Sequence, residues 1–131
     1  MVERPWWRRL FGAAKAAGLD PARPDLVVVA SSFDDAEACS AALKRGDRFV
    51  PADEVVLRHH LRVPGEHVAR VCELAAQDGY APAQTDEPGL LLLQRVQVLD
   101  ALHCSQERSR MAGLAQRHDG VAEGWEALQP G

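Results

Sequence analysis

Glu54-Val55-Val56-Leu57-Arg58-His59-His60-Leu61-Arg62-Val63 is the stretch whose reading decides the fold of this chain. In an extended strand, successive side chains point to opposite sides. Val55, Leu57, His59, Leu61 and Val63 therefore share one face, and Val56, Arg58, His60 and Arg62 share the other. The first face is almost wholly apolar and the second carries cations. Such a strand belongs in an antiparallel sheet that packs helices on one side and leaves the other open.

Downstream, Pro64-Gly65 ends the strand, and the spacing of Val68, Val71, Cys72 and Ala75 predicts a helix running to Gln77, with Gly79 as its stop. Tyr80 to Thr85, interrupted by Pro82, reads as a weak edge strand. Asp86 to Gly89 makes a turn, and Leu90 to His103 reads as one long strand. Leu90, Leu92, Val96, Val98 and Leu102 are its expected helix-facing residues, with a bulge near Gln94 or Asp100 to absorb the competing Leu91, Leu93 and Leu99. Ser105 is the expected N-cap of a last helix whose buried face is Met111, Leu114 and Ala115. Asp119-Gly120 breaks that helix, and Gly124-Trp125 sits on a short final strand. The order is strand, helix, strand, strand, helix, strand: a split βαβ pattern, and so a two-layer α+β domain with its helices on one face of an antiparallel sheet.

Upstream, Leu26 to Ala30 is a β-branched apolar run that predicts an added strand. Ser31 to Asp35 offers N-cap chemistry for an added helix over about Asp35 to Arg45, ended by Gly46. Residues 20–131 thus form a single domain with a core at about 54–127. Residues 1–19 form a leader in which Trp7, Leu10, Phe11 and Ala14 share a helical face among Arg8, Arg9 and Lys15. That leader is expected to fold back on its own domain or to be disordered in solution, with a partner-binding arm or weak contact to a membrane surface as the functional alternative.

Composition narrows the function. The 131 residues, 47% hydrophobic and 26% charged, supply one core. No apolar run reaches the roughly 18 residues of a membrane helix, and the first residues lack a secretory signal pattern, so a cytoplasmic protein is expected. Cys39, Cys72 and Cys104 are odd in number and far apart, which predicts reduced thiols and neither a disulfide framework nor a zinc site. In the leader four bases face one acid, a net of +3, whereas from Asp20 onward 18 acids face 11 bases, a net of -7. An acidic body repels nucleic acid and suits a basic protein partner.

The candidate chemistry is sparse. His59 and His60, with His67, His103 or Cys104, suggest a metal, but neighbouring strand residues diverge, so no metal or other cofactor is expected and His59 reads as a hydrogen-bonded core residue. Cys104 beside His103, or Ser105, lacks the strained elbow, phosphate loop or carboxylate partner of a catalytic site, so no enzyme activity is expected. Arg58, His60 and Arg62, joined by Arg95 and Gln97 on the neighbouring strand, form a basic strip on the open sheet face and are the candidate partner-binding residues. A small ligand or single-stranded RNA is the alternative occupant of that face, although RNA binding calls for aromatic side chains that the strip lacks. Trp125 is expected to seal the core.

Leu57-Arg58-His59-His60-Leu61, the helix ending in Asp78-Gly79-Tyr80, the strand from Leu90, the helix through Leu114-Ala115 and the closing Ala122-Glu123-Gly124-Trp125 together resemble the regulator of ribonuclease E activity B family over about residues 35–127. Ala122 and Glu123 stand where that family usually has Tyr-Asp. The resemblance implies a cytoplasmic ferredoxin-like two-layer sandwich that acts without catalysis, as a protein inhibitor binding ribonuclease E. It brings no catalytic or cofactor residues.

Overall fold

The computed structural model describes residues 18–131. The reading of residues 1–17 as a helical leader falls outside them. Among the described residues, five strands and three helices follow in the order β1 (Leu26–Ser32), α1 (Cys39–Lys44), β2 (Glu54–Arg62), α2 (Gly65–Ala76), β3 (Ala81–Ala83), β4 (Leu91–Val98), α3 (Ala101–Gln116) and β5 (Val121–Pro130). The strands form one sheet in the order β1-β5-β2-β4-β3, antiparallel throughout.

The alternation of β2 is realised from Leu57 to Arg62, whereas Val56, predicted on the wet face, is buried as well. Val55, Leu57, His59 and Leu61 are buried toward the helices, in the company of Cys39, Ala42, Val71, Ala75, Cys104, Met111, Leu114 and Ala115. The core falls into two clusters: one lies beneath α1 and the start of α3, the other beneath α2 and the end of α3. Trp125, opposite His59 in the β2–β5 register, belongs to the first and is 1% exposed, as expected of a residue that seals the core. Gly79, with φ of +83°, ends α2 in the left-handed conformation that glycine adopts at no steric cost.

Four expectations are corrected. The strand predicted over Leu90 to His103 stops at Val98, because the Asp100 carboxylate accepts a hydrogen bond from the His103 backbone N–H at 2.8 Å and starts α3 at Ala101. Asp100 is the cap, not Ser105. The phase of β4 is also the reverse of that predicted. Leu91, Leu93, Arg95 and Gln97 pair with Leu61, His59, Leu57 and Val55 and so face the helices, while Leu92, Val96 and Val98 pair with His60, Val56 and Glu54 on the open side. With leucines and valines at both parities, only pairing to β2 fixes which set turns inward. The β2–β4 pairing runs without a shift, and the bulges fall instead in β1 at Val29 and in β5 opposite His60 and Leu61.

The third correction concerns α1, which covers Cys39–Lys44 and not the longer span from Asp35. The polar residues before it build a turn: Asp34 accepts from the Ala36 N–H, and the Ser32 hydroxyl donates to Glu37. The fourth concerns β5. Instead of a short closing strand it is ten residues long and lies between β1 and β2, paired on both sides. The predicted edge strand from Tyr80 shrinks to Ala81–Ala83, and it does lie at the sheet edge, where Pro82 interrupts few ladder bonds.

Candidate functional site

The open face of the sheet is organised in rows, because residues paired across antiparallel strands point the same way. One row runs Val28, Leu128, Val56, Val96 across β1, β5, β2 and β4. It is entirely aliphatic. The next runs Ser31, Glu126, Arg58, Gln94, Ala81 and is polar as far as Gln94. The third brings Gly124, His60, Leu92 and Ala83 into line.

Of the predicted contact residues, Arg58, His60 and Arg62 lie on this face. Arg95 and Gln97 do not. The β4 phase turns both toward the helices: the Arg95 guanidinium stacks 4.7 Å from the centre of the Tyr80 ring, donates to the Asp78 carbonyl at 2.8 Å and lies 3.4 Å from Glu107. Gln97 is held by Arg95 through two hydrogen bonds of 2.6 and 3.0 Å. Gln94, which the sequence reading passed over, takes their place on the open face and accepts from Arg58 at 3.0 Å.

The cations of the strip are already engaged. Glu126 lies 3.5 Å from Arg58 and 3.1 Å from His60, and Arg62 pairs with Glu123 at 3.1 Å and with Glu87. The strip is therefore a set of matched ion pairs and not a free basic patch. Counter-charges from β5 cancel what β2 presents, so the field that would draw a phosphate backbone is weak.

An aromatic residue does stand on this face. Phe33, just past β1, is 52% exposed, and its ring meets the His60 ring edge-on with centroids 5.0 Å apart. A Cβ on Gly124 would come within 2.2 Å of the Phe33 ring, so the glycine makes room for it. That glycine inside a strand was the one sequence signal for a close approach here.

On the helix side, His59 is part of a buried polar group. The Tyr80 hydroxyl donates to Glu107 at 2.7 Å and lies 3.4 Å from His59 Nε2, and Arg110 donates to the same carboxylate at 3.1 Å. Burial pushes the His59 imidazole down to about 3, so it is neutral. Burial and the hydrogen bond to Glu107 push the Tyr80 phenol well above its usual range. For Glu107 burial acts upward, but the Tyr80 hydrogen bond and the Arg95 and Arg110 cations outweigh it and hold the carboxyl below its usual range. The group is a set of satisfied structural contacts.

The remaining reactive residues are dispersed. Cys104 is buried on α3, where burial and the neighbouring Cys39 thiol push its thiol far up, so it is a poor nucleophile. His103 and Cys104 sit on a helix and not on the predicted strand, and His103 points outward to Asp100 at 2.7 Å. His59 and His60 face opposite sides of the sheet, and among the described residues no group of three or more His, Cys, Asp or Glu side chains is placed to hold a metal ion. A cavity of about 350 Å³ opens between α3 and the start of β5, lined by His59, Ser32, Asp34, Arg108, Ser109 and Gln116 among others. Charges of both signs meet there. Among the described residues no helix is long and apolar enough to cross a membrane. No family model, curated protein or solved structure matches the chain.

Proposed function

We propose that this protein is a non-enzymatic regulator that works by binding another protein through the open face of its sheet. The sheet order β5-β2-β4-β3, together with α2 and α3, supports a ferredoxin-like reading of the α+β domain, with β1 and α1 as additions to it. The observation that carries the reading is the layout of this face: an aliphatic row, buried at Val56 and Leu128 and exposed at its edge at Val28, beside a row of paired charges. A protein interface has this composition, apolar at its centre and polar around it. The resemblance of the β2 and β5 motifs to the regulator of ribonuclease E activity B family suggests ribonuclease E, or a related RNA-processing enzyme, as the partner. An acidic body suits a basic region of that enzyme.

Cleavage of a model transcript by purified ribonuclease E tests this. Addition of the protein is expected to slow or redirect cleavage, and the pair Arg58→Ala and His60→Ala is expected to weaken the effect at least several-fold. Unchanged cleavage at saturating protein refutes the partner, and equal potency of the variant refutes the surface. Phe33 beside His60 favours single-stranded RNA as a second occupant of the same face, since an exposed ring can stack a base. A gel shift with single-stranded RNA at low salt decides that reading, and absence of a shift removes it.

A further inference from the structure

The cavity of about 350 Å³ between α3 and the start of β5 opens on the helix side of the sheet, away from the proposed partner surface. His59 lines it and is only 2% exposed. This residue joins the buried polar group through Nε2 alone. The Tyr80 hydroxyl has one proton and donates it to the Glu107 carboxylate at 2.7 Å, so His59 Nε2, 3.4 Å from the same oxygen, is the protonated ring nitrogen. Nδ1 is then a bare acceptor, and among the described residues it has no hydrogen-bond partner. A buried acceptor without a donor is costly, and the cavity beside it has room for one.

Two further sets of unmatched groups line the same space. Arg108 donates one guanidinium N–H to the Glu37 carbonyl at 2.7 Å, and among the described residues no carboxylate oxygen lies within 4.0 Å of it. Its other donors are free. Asp34 and Asp35, exposed in the turn after β1, also line the cavity and form no ion pair among the described residues. We propose that this cavity binds a free polar α-amino acid, with its carboxylate on the Arg108 guanidinium, its ammonium group on Asp34 and Asp35, and a side-chain hydroxyl or amide N–H donating to His59 Nδ1. Charge selects the class. A ligand that is only an anion meets two aspartates, and one that is only a cation meets the arginine, whereas a zwitterion satisfies both signs. Size agrees, because the cavity lies at the low end of the roughly 300–1,000 Å³ of small-molecule pockets and so suits one amino acid better than a nucleotide.

The test is a titration of the full chain, labelled with nitrogen-15, with each of the standard L-amino acids in turn. Serine, threonine, asparagine or glutamine is expected to shift the backbone amides of Ala112, Gln116 and Gly124 and to saturate below about 10 mM. Amidation of the ligand carboxylate and acetylation of its amine should each weaken binding about tenfold or more. Arg108→Gln should reproduce the first loss, and Asp34→Asn with Asp35→Asn the second. His59→Phe should erase the preference for serine over alanine. Ser109→Trp, at an exposed position on the cavity wall, should abolish binding with the thermal midpoint unchanged, and it serves even where the buried His59 variant fails to fold. Absence of a shift at these amides with every amino acid overturns the proposal, as does binding that survives Ser109→Trp or is indifferent to Arg108→Gln. Equal binding of the free and amidated ligands overturns the zwitterion as the class.

Discussion

At the scale of single residues, the buried polar group and Trp125 dominate. Glu107 is 5% exposed and gathers Tyr80, Arg95 and Arg110. Replacing it by alanine strands the Arg95 guanidinium against the Tyr80 ring without its counter-charge, and the expected cost is about 3–5 kcal/mol, read by urea denaturation. Trp125→Ala empties the centre of one core cluster and is likewise expected to cost about 3–5 kcal/mol. His59 supplies a pH dependence. Its pKa is about 3 in the fold against an ordinary 6.5, so the folded state excludes a proton that the unfolded chain takes up. The stability it protects is complete above about pH 6.5 and falls as the pH drops toward 3. Between pH 6.5 and 4.5 the loss amounts to about 2–3 kcal/mol, and His59→Phe should flatten that part of the stability profile. His59 was legible from its place on β2. Glu107 was not, because the cap of α3 was placed at Ser105, five residues beyond its position at Asp100. Once the helix begins at Ala101, Cys104, Glu107, Met111, Leu114 and Ala115 form one buried stripe and the glutamate stands in it.

At the scale of elements, boundaries depended on capping and faces depended on pairing. The Asp100 side chain serves both the His103 N–H and the His103 ring, so Asp100→Ala should lower the thermal midpoint, whereas Ser105→Ala, an exposed position inside α3, should not. Circular dichroism melts of the two variants distinguish the observed start of the helix from the one the sequence suggested. Leucines and valines at both parities of β4 left its phase open, and the register with β2 settled it, carrying Arg95 and Gln97 to the helix side. The same logic lengthened β5. A ten-residue strand that includes Gly124 and Pro130 has little strand propensity of its own, and its order comes from pairing with β1 and β2 together.

At the scale of the whole molecule, the open face is the feature on which the proposed regulatory role depends. Because its cations are matched by Glu126, Glu123 and Glu87, Glu126→Ala should release Arg58 and His60 and raise affinity for polyanions, measured as a steeper salt dependence of retention on heparin. The amino-acid order alone determined the alternation of β2, the apolar stripe of α2, the glycine stop at Gly79, the two-layer α+β class and the burial of Trp125, since each follows from local periodicity and backbone conformation. Only the tertiary structure decided the phase of β4, the central place of β5 and the charge balance of the open face. Those depend on which strands become neighbours, and partners such as Arg58 and Glu126 lie too far apart in sequence for any local pattern to join them.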